Sequence, residues 1–231
     1  MRMILLAFFC GVTGSADAEQ RTDLKVVELF TSQGCSSCPP ADYLLGQLTA
    51  HDHLLPLAFH VDYWNYLGWE DTLSTSFATQ RQEAYREAMG GTFIYTPQFV
   101  VDGTHEFNLR QHEVMMDHLA APTPETAQDP QGVRLTWTER GLRLTPVRGG
   151  LEAGHIWLIT FLPAQETAIT AGENRGHKLT YHHAVDHIEV LGDWSNEPMT
   201  IPLQEPPTYG LAVLVTNTDG HIHGAASWTR D

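Results

Sequence analysis

The stretch from Lys25 to Pro40 reads KVVELFTSQGCSSCPP. Its first seven residues are mostly apolar and β-branched, which predicts a buried strand over Lys25–Thr31. A short polar loop follows, then Cys35 and Cys38, then Pro39, which a helix tolerates in its first turn. A strand that runs into two cysteines at a helix start sets Cys35 beside unpaired backbone N–H groups and the positive end of the helix dipole, and both favour a thiolate. Cys38 falls one turn later on the same face, within reach as a second thiol. Two other readings compete. A disulfide staple closing so short a loop restrains little of the unfolded chain, and a metal site needs more ligands than two sulfurs.

The residues before this stretch bear on its chemistry. MRMILLAFFCGVTGSADAEQ opens with Arg2, continues as an apolar run from Met3 to Val12, and offers small residues at Ala16-Asp17-Ala18. That three-part pattern predicts a secretory signal peptide over residues 1–18, cleaved after Ala18. The alternative is an anchor left in the membrane, for which the run is short. Phe9 is too bulky to precede a lipidated Cys10. Cleavage removes Cys10 and leaves Cys35 and Cys38 as the two cysteines of a protein in an oxidising compartment, secreted or periplasmic. The whole chain has 231 residues, is 42% hydrophobic and carries a net charge of -15. It is long enough for one large domain or two small ones. Its acidic balance argues against nucleic acid or an anionic membrane as a main partner, and no membrane span is expected after cleavage.

Beyond the cysteines, Tyr43, Leu44, Leu45 and Leu48 form the apolar stripe of a helix expected between Ser37 and Ala50. Leu54–Val61 reads as a second strand. Ser74–Met89 reads as an amphipathic helix capped by Ser74 or Thr75, with Phe77, Ala84, Tyr85 and Ala88 on one face and Gly90-Gly91 as its stop. YTPQFVVDGTHEF predicts a hairpin turning at Asp102-Gly103. Asn108 caps a last helix that runs through Leu119. A proline-bearing linker over residues 122–132 then separates a first domain, 19–121, from a second, 133–231. In the second domain the apolar runs Val133–Trp137, Leu142–Val147, Ile156–Leu162, Lys178–Val190 and Leu211–Thr216 predict an all-β sandwich.

The strand, the CSSC helix, the central helix and the TPQ hairpin together resemble the thioredoxin superfold. The expected fold class is therefore an α/β thioredoxin-like N-terminal domain followed by an all-β sandwich-like C-terminal domain. The resemblance implies that Pro97 is a cis-proline beside the cysteines and that the backbone at Thr96 pairs with an extended substrate peptide. More closely, VELFTSQGCSSCPPAD, AFHVDYWNYLGWEDTLS, TQRQEAY, YTPQFVVDG and GENRGHKLTYHHAV resemble a family of secreted thioredoxin-like proteins of unknown function, over nearly the whole mature chain. Ser36-Ser37 departs from the Gly-Pro or Pro-His of well-understood oxidoreductases. It brings neither a cation nor a rigid ring, so it leaves the direction of electron flow open.

Several residues support this chemistry. Glu28 interrupts an apolar strand; buried beneath the pair, it would accept a proton from Cys38 with its pKa raised by desolvation. Its alternative is a solvent-facing edge position. Asp62, Tyr63 and Trp64 follow the second strand and should emerge on the same sheet edge as Cys35, where an aromatic loop suits a peptide or protein partner; local packing is the alternative. His60 with Cys35 and Cys38 would suit Cu(I) or Zn. His183 and His187 would stand about 13 Å apart on a strand, too far to share a metal. His221 and His223 share a strand face, read as solvated. The expected function is thiol–disulfide exchange on protein or small-molecule thiols and disulfides, without a cofactor: Cys35 is the nucleophile, Cys38 the resolving thiol, and Thr96 and Pro97 shape the site. Two further readings are a periplasmic copper or zinc carrier using Cys35, Cys38 and His60, and a binding protein with an inert disulfide.

Overall fold

Strands are the commonest regular structure among the described residues. A computed structural model describes residues 18–121, 132–147, 149–204 and 210–230. The expected signal peptide (apart from Ala18) and nearly all of the expected linker lie outside the described residues. Four sheets are formed among the described residues. The largest joins β1 (Ala18–Thr22), β14 (Ile222–Arg230), β13 (Gly210–Thr216), β8 (Gly154–Phe161) and β11 (Val185–Trp194), in that order. A four-stranded sheet runs β3 (Leu54–His60), β2 (Lys25–Thr31), β4 (Gln98–Val101) and β5 (His105–Asn108). In it β2 and β3 are parallel, and β4 and β5 antiparallel. A three-stranded sheet holds β12 (Met199–Ile201), β7 (Gly141–Pro146) and β6 (Val133–Thr138), and β9 (Gln165–Ala168) pairs with β10 (Lys178–Tyr181) as a hairpin.

The α-helices among the described residues are α1 (Pro39–Leu48), α2 (Ser76–Ala88) and α3 (His112–Ala120). Prolines occupy the first turn of α1, where no N–H is missed. It buries Ala41, Asp42, Leu45 and Leu48, while Tyr43, expected in the apolar stripe, is 69% exposed. Thr75 caps α2 by accepting a bond from the Ala78 N–H. The buried face of α2 is Ala78, Gln82 and Tyr85, and Ala84 and Ala88 turn outward. Gln82, polar but wholly buried, sets that register by donating to Tyr95 O and Gln98 Oε1.

The two faces of the four-stranded sheet pack against different partners. Val26, Phe30, Leu57, Phe59 and Val100 share one core with Tyr85 of α2 and with Ile159, Phe161, Ala212 and Leu214 of the five-stranded sheet. On the other face Val27, Leu29, Ala58 and Phe99 pack on Leu45 and Leu48 of α1 and on Met115 and Leu119 of α3. A large side chain so buried contributes about 1.5–3 kcal/mol over exposure.

This arrangement corrects the expected fold class. Strands account for 43% and helix for 19%, in several small sheets with three α-helices among the described residues. The molecule is thus mostly β, not an α/β thioredoxin-like unit followed by a β-sandwich. The physical reason lies in the layers. An α/β unit covers its sheet with helices on both faces, whereas here strands from far downstream cover much of one face. The N-terminal strand β1 also belongs to the downstream sheet, through β14. The single run expected over Lys178–Val190 divides into β10 and β11, with His183 between them at a φ of 49°.

Candidate functional site

β2 delivers the chain to a tight turn in which the Cys35 N–H donates to Ser32 O and the Cys38 N–H to Cys35 O. Cys38 is the N-cap residue of α1, and its carbonyl accepts from the Ala41 and Asp42 N–H groups. Cys35 and Cys38 are joined by a disulfide, with Cα atoms 5.4 Å apart. Cys35 is 3% exposed and Cys38 0%, so the pair is approachable only over Cys35. Ser36 and Ser37 beside it are exposed. Ser37 Oγ lies 3.4 Å from Cys35 Sγ; a disulfide sulfur has no hydrogen, so the hydroxyl is the donor. The Thr96–Pro97 peptide bond is cis. Ser37, Pro40, Tyr43, Phe93, Thr96 and Pro97 line a groove of about 1080 Å³ that starts beside the pair.

The loop carrying Asp62, Tyr63 and Trp64 braces Tyr95 and Thr96, which line that groove. Trp64 Nε1 donates to Thr96 Oγ1 at 2.8 Å. The Tyr63 hydroxyl donates to Gln82 Oε1, and Gln82 carries Tyr95 O on its amide. Burial pushes the Tyr63 phenol up to about 12. Asp62 accepts from Thr79 Oγ1 at 2.6 Å. These side chains are therefore engaged with α2 and with Thr96.

Below the pair lies a buried polar cluster. Asp42, one turn after Cys38, accepts from Thr31 Oγ1 at 2.7 Å. Burial pushes its carboxyl up to about 7, against the opposing pull of His60 and the Thr31 hydroxyl. Asp71 differs: burial raises it, but His60 and the Gln33 and Leu73 N–H groups more than offset this and leave its pKa lowered. An ionised carboxylate has no hydrogen to give, so the His60 Nδ1–H donates to Asp71 Oδ2, at 2.8 Å. The His60 ring meets Tyr181 edge to face, with centroids 4.9 Å apart. Asp42 Oδ2, His60 Nε2 and the Tyr181 hydroxyl are all buried without a hydrogen-bond partner among the described residues. Burial, with the charges of Asp42 and Asp71, drives the Tyr181 phenol far upward.

Glu28 is wholly buried on the other face of the sheet, among the residues packed against α2. Arg81 Nε donates to it at 2.7 Å, and so does the Tyr85 hydroxyl. Arg81 also donates to Tyr85 and lies over the rings of Phe59, Tyr85 and Trp157. Of the residues in the metal reading, the two sulfurs are bonded to each other and His60 Nδ1 is held by Asp71. Among the described residues, no group of three or more His, Cys, Asp or Glu is arranged to hold a metal ion.

Sequence reasoning missed Asp42, Asp71, Gln33 and Asn174. The last reaches the pair from the β9–β10 hairpin: its Nδ2 donates to Gln33 O and Cys35 O, both at 2.9 Å. Asp42 alone left a signal, a carboxylate one turn after Cys38 on the buried helix face. The others come from loops without periodicity.

Residues 26–216 match the family model described as "Protein of unknown function (DUF1223)", and the chain belongs to that family. The crystal structure of an Agrobacterium tumefaciens protein from a structural-genomics programme is similar, with 31% identity and a TM-score of 0.71 over 89% of this chain and 93% of that one. HBP35 of Porphyromonas gingivalis is similar in fold, with 15% identity and a TM-score of 0.53 over 91% of this chain and 76% of that one. No curated protein matches the sequence.

Proposed function

We propose that this member of a family of unknown function is a secreted thiol–disulfide exchange protein, acting on protein or small-molecule thiols and disulfides through Cys35 and Cys38. One observation carries the reading: a disulfide at the N-terminus of α1, approachable only over Cys35, opens beside an apolar groove. Secretion rests on the pattern of residues 1–18 and on the mature chain keeping only these two cysteines.

In the oxidised protein a partner thiolate attacks Cys35 Sγ. A partner–Cys35 disulfide forms, the Cys35–Cys38 bond breaks, and its electron pair leaves on Cys38 as a thiolate at a helix N-terminus. Asp42, one turn away and with its carboxyl near 7, supplies the proton that Cys38 takes up. A second partner thiolate then attacks the partner sulfur of the mixed disulfide. The partner leaves oxidised by two electrons, and the pair is reduced by two. The reverse sequence reduces a partner disulfide, with Cys35 as nucleophile, the Ser37 hydroxyl donating to its thiolate, and Asp42 taking the proton from Cys38. Glu28, paired with Arg81 across the sheet, has no part in either direction.

The test is trapping. Reduced Cys38→Ala protein should accumulate a mixed disulfide with a disulfide-bonded peptide, and Cys35→Ala should not. The reduced wild-type Cys35 should titrate below the ordinary thiol value of about 8.5. An ordinary thiol pKa together with no trapped adduct sinks the proposal.

A further inference from the structure

The segment Gly172–Val185 (GENRGHKLTYHHAV) stood out in the sequence without a role. It folds as the tip and second strand of the β9–β10 hairpin and the turn beyond it. Its tip is closed on itself: the Gly176 N–H donates to Ile169 O, the Ile169 N–H to His177 O, and the His177 N–H to Asn174 O. Gly172, with a φ of 71°, sits so near Trp69 that a Cβ would lie 2.9 Å from the Trp69 Cβ. Only glycine lets the tip approach so closely. Farther along, Tyr181 meets His60, and His182 packs against Gly46 of α1.

We propose that Asn174 is a positioning residue for the cysteine pair, which makes the hairpin of the C-terminal half part of the exchange site. Asn174 is 5% exposed, and one amide nitrogen spends both hydrogens on two carbonyls that flank Gly34. Gln33 is fully buried, so its carbonyl would otherwise lack a donor. The rest of Gln33 is held from the other side: its N–H donates to Asp71, and its side-chain oxygen accepts from Trp69 Nε1. Cys35 therefore leaves a backbone frame gripped at both its N–H and C=O groups. In the reduced protein this grip keeps the two thiols at disulfide spacing, which raises their effective concentration toward one another. Releasing it lets Cys35 drift, and the disulfide becomes easier to reduce.

The inference rests on the reading of the pair as exchange-competent. Its test uses the chemical equilibrium of the full-length protein with a glutathione redox buffer, which needs no physiological partner. A failed trapping experiment would therefore count against the function without touching this measurement. Asn174→Ala should shift the equilibrium about tenfold toward the dithiol, a potential about 30 mV less negative. Asn174→Asp keeps the shape but turns a carboxylate onto two carbonyl oxygens, and should shift it at least as far. His183→Ala is the control: it loses the bond from His183 Nδ1 to Pro56 O, which joins the halves away from the cysteines, and should stay within twofold of wild type. Far-UV melting of the oxidised variants reports general loosening separately. Asn174 variants within twofold of wild type, or a His183→Ala shift of equal size, overturn the inference.

Discussion

Glu28 and Asp42 are buried on opposite faces of the four-stranded sheet, and the two are treated in opposite ways. On the α2 face Glu28 is enclosed by Arg81 and the Tyr85 hydroxyl, with aromatic rings around the guanidinium. On the α1 face Asp42 has one hydroxyl partner and an oxygen without one, near His60 and Tyr181, whose own outer atoms are unpartnered. A paired buried charge is spent on structure. A poorly paired one keeps its proton near neutrality, where a reaction can use it.

Single substitutions test the contrast between the two faces. The largest effect belongs to Arg81. Arg81→Ala leaves Glu28 buried and uncompensated and should cost about 3–5 kcal/mol in urea unfolding, while replacing both partners by apolar or neutral groups should recover most of it. A small loss on Arg81→Ala would mean that Glu28 is not held by charge. Next comes Asp42. Its folded pKa, about 7, lies above its ordinary 3.8, so the native state holds a proton that the unfolded chain has released. Its contribution to stability falls as pH rises from about 4 to about 7 and levels off above, while His118 and His183, whose pKa values burial lowers, contribute the opposite slope. Asp42→Asn should flatten the falling slope, a difference on the order of 4 kcal/mol across the window. Asp102, which burial pushes up to about 6, adds a same-signed slope that survives in this variant. An unchanged slope would place the labile proton elsewhere. The smallest contrast is between two tyrosines. Tyr85→Phe removes a donor from a buried carboxylate and should cost about 1.5–3 kcal/mol, whereas Tyr181→Phe removes an unpartnered hydroxyl and should stay within about 1 kcal/mol of wild type. Equal losses in denaturant melts would erase the distinction between the two faces.

What the sequence made legible was local. β2, the start of α1 at Pro39 and the Thr75 cap of α2 follow from propensity and capping. So does the hairpin turn, where Asp102 and Gly103 take φ values of 50° and 68°. What stayed hidden depends on which segments meet. Ala84 and Ala88 looked like the inner face of α2 because they are apolar, but Gln82 wins that face through bonds that only the folded chain supplies. The strands that replace helices above β2 and β3 come from residues beyond Gly154, and no periodicity announces where a strand will dock. The site divides in the same way. The cysteines and Thr96-Pro97 are motif residues, but Asp71 and Asn174 serve the pair only because distant loops carry them there.

The pairing of β1 with β14 sets Ala18 opposite Arg230. A ribosome adding about 5–20 residues per second takes on the order of ten seconds or more to travel from one to the other. Until β13 and β14 emerge, Val26, Phe30 and Leu57 lack the strands that cover them. The core shared by the two larger sheets can close only once β13 and β14 have been made, and the nascent chain must stay soluble through that interval with this core unfinished.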